Sequence, residues 1–96
     1  MGILDICLKS GRDVVTIMLI CEMGEINGES FDFSDIEYIK GYRNTAFRIN
    51  AGNDTKYITR RIEFKDGNSG LSAVFDSEDG NVRLPVEKIT EIVSQE

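Results

Sequence analysis

The chain has no histidine and no tryptophan, one proline and two cysteines among its 96 residues. Without histidine it lacks the side chain that most often serves as general base or metal ligand near neutral pH. A Cys–His nucleophile is excluded, since neither Cys7 nor Cys21 has an imidazole to activate it. The two thiols show no metal or redox spacing, and each falls in an apolar run where free cysteine behaves as a small hydrophobe. Long apolar runs are also missing. The longest, residues 17–21, is far short of the roughly 20 residues that a membrane span needs. Residues 1–5 have neither the basic nor the hydrophobic region of a secretory signal. No G-x-S-x-G elbow, P-loop or G-x-G-x-x-G stretch occurs. These gaps point to a non-enzymatic protein of the cytoplasm, with no catalytic residue, no metal, no cofactor and no membrane association.

What the chain does have is a β-forming pattern. Leu4, Ile6 and Leu8 alternate with Asp5, Cys7 and Lys9, the period of a strand with one buried face. Ser10-Gly11-Arg12-Asp13 is a turn. Residues 14–22, rich in β-branched side chains and apolar on both faces, read as a central strand. After the Asn27-Gly28 turn, residues 30–33 alternate as a short strand. Ser34 and Glu37 have the spacing of a capping box and Ile36 and Ile39 that of a helix, which favours a helical turn before Gly41. Residues 45–50 and 55–65 form a hairpin across 51–54. Pairing Asn50 with Thr55 sets Phe47 opposite Ile58 and Arg48 opposite Tyr57. It also turns Arg60 inward among Ile58, Ile62 and Phe64, where a guanidinium demands an anionic partner. Residues 71–76 and 82–84 are further strands around the Asp79-Gly80 turn, and Pro85 ends the ladder. Residues 86–93 read either as a helical turn plus a strand or as a helix with Pro85 near its start.

One motif is written twice. Ile6-Cys7-Leu8-Lys9-Ser10-Gly11-Arg12 and Ile62-Glu63-Phe64-Lys65-Asp66-Gly67-Asn68 both run apolar-x-apolar-Lys, then a polar residue, Gly and a polar residue. Each leads to an apolar strand, an Asn-Gly or Asp-Gly turn, and an Ile-x-x-Ile pair. The expectation is one domain, 1–96, with pseudo-repeats at 3–42 and 57–96 joined by a basic hairpin segment, 43–61. Its fold class is mainly β, a small antiparallel barrel or sandwich of two similar β-units. Six to eight strands and one or two short helical turns are expected. The alternative is α+β, with short helices near 35–41 and 86–95. Residues 83–92 resemble the closing strand of SH3-like and Sm-like small barrels but include no diagnostic residue, so no family is assigned.

The net charge of −6 argues against binding duplex nucleic acid, which depends on neutralising phosphates. Its distribution is uneven. Residues 40–65 hold seven basic and two acidic groups, a net of +5, while the remainder holds four basic and fifteen acidic, a net of −11. Within the basic segment Tyr42, Phe47 and Tyr57 interleave with Arg43, Arg48, Lys56, Arg60 and Arg61. Rings that stack on bases beside cations that meet phosphates suit a nucleotide or a single strand. A solvated hairpin whose cations pair with the acidic remainder gives the same pattern. The acidic run 76–81 places Gly80 fifth, where a calcium loop requires glycine sixth, so it is a hairpin turn. Two functions follow. The first is a binding module acting through a protein–protein interface, a small accessory or inhibitor protein that forms homo-oligomers. The alternative binds a nucleotide or short oligonucleotide through 42–61. In either case the candidate binding residues are Tyr42, Arg43, Arg48, Lys56, Tyr57, Arg60 and Arg61.

Overall fold

A computed structural model of the chain describes residues 3–52 and 54–95. Its strands, in chain order, are β1 (Leu4–Leu8), β2 (Asp13–Thr16), β3 (Met18–Glu22), β4 (Glu25–Ile26), β5 (Ile36–Gly41) and β6 (Phe47–Ala51). They continue with β7 (Thr55–Thr59), β8 (Arg61–Gly67), β9 (Gly70–Ser77), β10 (Gly80–Pro85) and β11 (Ile89–Ser94). All pairings are antiparallel. One sheet has the order β10-β9-β8-β5-β1-β2 and the other β4-β3-β11-β6-β7. The two sheets enclose one apolar core without closing into a barrel. Among the described residues there is no α-helix, only 3-10 turns at Phe33–Asp35, Tyr42–Asn44 and Val86–Lys88. The mainly β class therefore stands and the α+β alternative does not.

Within the helices of that alternative, residues 36–41 and 89–94 are strands for a physical reason, and Val86–Lys88 followed by β11 is the helical turn plus strand that the sequence offered for 86–93. A helix of two turns needs tertiary packing to persist, and these residues pack better as central strands. Ile39 lies between Ile6 of β1 and Ile62 of β8, and all three are fully buried. Ile92 lies between Leu19 and Ile49 in the same way. The capping box sits earlier than the sequence suggested. Asp32 accepts from the Ser34 amide at 3.0 Å and Asp35 from the Asp32 amide at 3.0 Å, which closes a single 3-10 turn at Asp35.

The eleven strands among the described residues exceed six to eight because Glu25–Ile26 and Ile36–Gly41 are strands as well, and because two runs expected to be single strands each bend. Residues 14–22 bend at Ile17, and residues 55–65 bend at Arg60. At each bend the chain leaves one sheet for the other. Thr59, the one buried polar side chain among the described residues, secures the second bend by donating to the Asp76 carbonyl at 2.8 Å. The first run is not central either, since β2 is an edge strand and β3 has only the two-residue β4 beyond it. Residues 30–33 are not a strand. Phe31 and Phe33 are both buried, with the Phe33 ring 5.2 Å from that of Phe64.

The β6–β7 hairpin is displaced by one residue from the expected register. Ala51 pairs with Thr55, Asn50 with Lys56, Ile49 with Tyr57, Arg48 with Ile58 and Phe47 with Thr59. A slip of one position exchanges the two faces of a strand. Tyr57 therefore turns inward, its ring edge-on to Phe75 at 5.4 Å, while Ile58 turns outward. Arg60, expected inward, is exposed at the bend. Its Nη1 donates to the carbonyl of Asn44, so a backbone oxygen supplies the partner that an anion was expected to supply.

Candidate interaction face

The outer face of the five-stranded sheet can be built from its registers. Leu19 and Cys21 of β3 are buried, so Met18, Ile20 and Glu22 project outward. Met18 pairs with Val93, Val93 with Arg48, and Arg48 with Ile58, which makes one row across the sheet. Ile20, Glu91, Asn50 and Lys56 make the next row by the same registers. The face thus has an aliphatic side on β3 and a basic side on β6 and β7. The aliphatic side is open to solvent, with Ile20 53% and Met18 38% exposed.

At the centre of this face are buried polar atoms that lack hydrogen-bond partners. Arg48 Nε and the Asn50 side-chain oxygen are both shielded from solvent and unpartnered, although the Asn50 amide donates to Glu91. A buried polar group left unpaired carries a desolvation cost of about 1–3 kcal/mol. Arg61–Glu63, at 3.2 Å, is the one ion pair among the described residues, so Arg48, Lys56 and Arg60 have no carboxylate in salt-bridge contact. Glu91 acts inward as well. Together with burial, which is the larger cause, its charge pushes the Cys21 thiol up to about 12.

The seven residues singled out in the sequence fall in four places. Arg48 and Lys56 share the basic side of the outer five-stranded face, whereas Arg60 stands at the bend beyond β7 and reaches the Asn44 carbonyl in the turn between β5 and β6. Tyr42 and Arg43 sit on the 3-10 turn between β5 and β6, where the Arg43 guanidinium lies 5.4 Å from the Tyr42 ring centre. That turn is tightly built. Arg43 and Asn44 both adopt left-handed backbone angles, and a side chain on Gly41 would lie 1.8 Å from the Thr45 carbonyl oxygen. Arg61 belongs to the outer face of the other sheet, 4.1 Å from the Tyr38 ring centre and ion-paired with Glu63. Tyr57 is turned into the core against Phe75. The interleaved rings and cations of the sequence are therefore dispersed. A cleft of about 520 Å³ does lie beside Arg60 and Arg61, but Asp76 and Glu78 line it too.

The residues that sequence reasoning missed are Val15, Ile17, Met18, Ile20 and Met23, all exposed on or beside the bent strand pair β2–β3. A signal existed: residues 14–22 are apolar on both faces. That pattern fits a strand buried on both sides, and it fits equally a strand with one face left for a partner. Comparison of the chain with protein-family models, with curated proteins and with solved structures returns no match.

Proposed function

We propose that this chain is a non-enzymatic protein-binding module of the cytoplasm. Its outer five-stranded face receives a partner segment in which carboxylates alternate with apolar side chains. One juxtaposition supports the reading. Exposed Met18 and Ile20 stand on the same face as Arg48 and Lys56, which have no carboxylate in salt-bridge contact among the described residues. Aliphatic contact area supplies the affinity, and the cations select and orient an acidic partner. Arginine is favoured at such surfaces because its planar fork meets carboxylates with two bonds at once. The free thiols Cys7 and Cys21 suit a reducing compartment.

Peptide selection tests this directly. Random peptides displayed on phage are selected on the intact protein and counter-selected on a folded Met18→Lys/Ile20→Asp variant. The expected consensus alternates Asp or Glu with aliphatic or aromatic residues, and its affinity falls at least tenfold in Arg48→Glu/Lys56→Glu. A consensus without carboxylates, or no enrichment, overturns the reading. So does tight binding of a nucleotide that is lost on mutating Tyr42 and Arg43, which would install the oligonucleotide alternative in its place.

A further inference from the structure

A separate feature, independent of the five-stranded face, concerns the edges of the sheets. A strand at an edge presents unpaired N–H and C=O groups, and natural proteins block such strands with prolines, cations, bulges or brevity. Four strands stand at edges here: β10, β2, β4 and β7. β10 ends in Pro85 and carries Arg83, and β4 is two residues long. β7 carries Lys56, and the chain turns away beyond it at Arg60. β2 is four residues long and the chain bends away beyond it at Ile17, but it lacks the other devices. It contains no proline, lysine or arginine, and it pairs with β1 in an unbroken register from Asp13 to Thr16. Beside that open edge Val15 is 58% and Ile17 54% exposed.

We propose that a second copy of this chain pairs antiparallel along β2, so that two six-stranded sheets become one continuous sheet. The occupant is argued from self-complementarity and charge. Pairing about a two-fold axis at Val15 sets Val15 against its own mate and Val14 against Thr16, with Asp13 facing the bend at Ile17. No like charges then face each other. The two Asp13 carboxylates stand four positions apart, about 13 Å along the strands, beyond the roughly 8–10 Å screening length of physiological salt. The edge pair β1–β2 with its turn, residues 4–16, carries Lys9 and Arg12 against Asp5 and Asp13, so this edge is locally free of the negative excess that drives copies of a −6 protein apart. The contact covers Val15 and Ile17, two of the most exposed apolar side chains among the described residues. Met18 and Ile20 remain free on the other face for a different partner.

Sedimentation equilibrium of the full chain across a wide concentration range tests the pairing. The expected mass rises from 10.8 kDa toward twice that value. Val15→Lys places two ammonium groups at the axis and returns the mass to that of the monomer, with the far-ultraviolet circular dichroism spectrum unchanged. Ile20→Asp leaves the dimer intact. A second readout does not depend on any variant: amide exchange at Asp13–Thr16 slows as concentration rises. A wild-type protein that stays monomeric throughout would falsify the proposal. A dimer that survives Val15→Lys, or one lost in Ile20→Asp but not in Val15→Lys, also overturns it, the latter by moving self-contact to the five-stranded face.

Discussion

Burial and the charge of Glu91 push the Cys21 thiol from 9.0 up to about 12, which makes this one side chain a reporter of folding. In the unfolded chain the thiol ionises near 9.0, so above that pH the unfolded state has released a proton that the folded state keeps. The sign follows. The contribution is fully present below pH 9.0 and is lost as pH rises toward about 12, by up to about 1.4 kcal/mol for each pH unit. Cys21→Val fills the same apolar site without a titratable group. Urea unfolding at a series of alkaline pH values should show the wild type losing stability relative to this variant. A constant difference between the two would mean that the thiol titrates freely in the folded protein. The half-buried Cys7 should meanwhile be alkylated well before Cys21.

At the scale of the element, the β6–β7 hairpin shows what could be read in the chain and what could not. Alternation placed Phe47, Ile62 and Phe64 inward, and all three are buried. The glycine turns at Gly11, Gly28 and Gly80 were equally legible, and each has the positive φ that such turns require. Register was not legible, because it depends on how many residues the loop spends. Asp54 adopts a left-handed conformation, so Ala51 still pairs with Thr55 and the loop is one residue shorter than the sequence suggested. That single residue decided the fate of three candidate site residues, turning Tyr57 inward and leaving Arg60 and Lys56 outside. The register has a measurable consequence. Tyr57→Ala should cost about 2–4 kcal/mol in denaturant unfolding, through lost contact with Phe75, whereas Ile58→Ala should cost under about 1 kcal/mol. Equal losses, or the reverse order, would restore the other register. Sheet membership was also hidden, since nothing local in residues 14–22 or 55–65 says that Ile17 and Arg60 are bends.

Across the whole molecule, charge is sorted by surface. On the outer face of the six-stranded sheet, Arg61, Lys40 and Asp5 share one row, with Glu63 and Asp13 in the next. The basic group of the other sheet's outer face is offset in part by Glu22 and Glu91. The negative excess gathers in turns, at Glu29, Asp32, Asp35, Glu78 and Asp79, all exposed. Of these, Asp32 is held below the usual carboxylate range, first by its hydrogen bond from the Ser34 hydroxyl. Repulsion among the rest opposes folding, and salt relieves it. Raising salt to about 1 M, where the screening length is about 3 Å, should add about 1 kcal/mol of stability and raise the melting temperature by roughly 5 °C. A melting temperature that falls with salt would show that attractive pairs outweigh repulsion.

The position of β11 has a consequence for how the protein is made. It is the last strand in chain order, yet it stands between β3 and β6 at the middle of its sheet. A ribosome delivers β3, β4, β6 and β7 first, and they have no central strand to pair with. Until β11 emerges, the core-facing residues Leu19, Phe47 and Ile49 have no completed sheet to belong to. Half-made chains therefore carry a strand-wide gap with apolar walls, a natural target for a chaperone or for another nascent copy. Folding of this sheet waits on β11, the strand that joins the β3–β4 and β6–β7 hairpins.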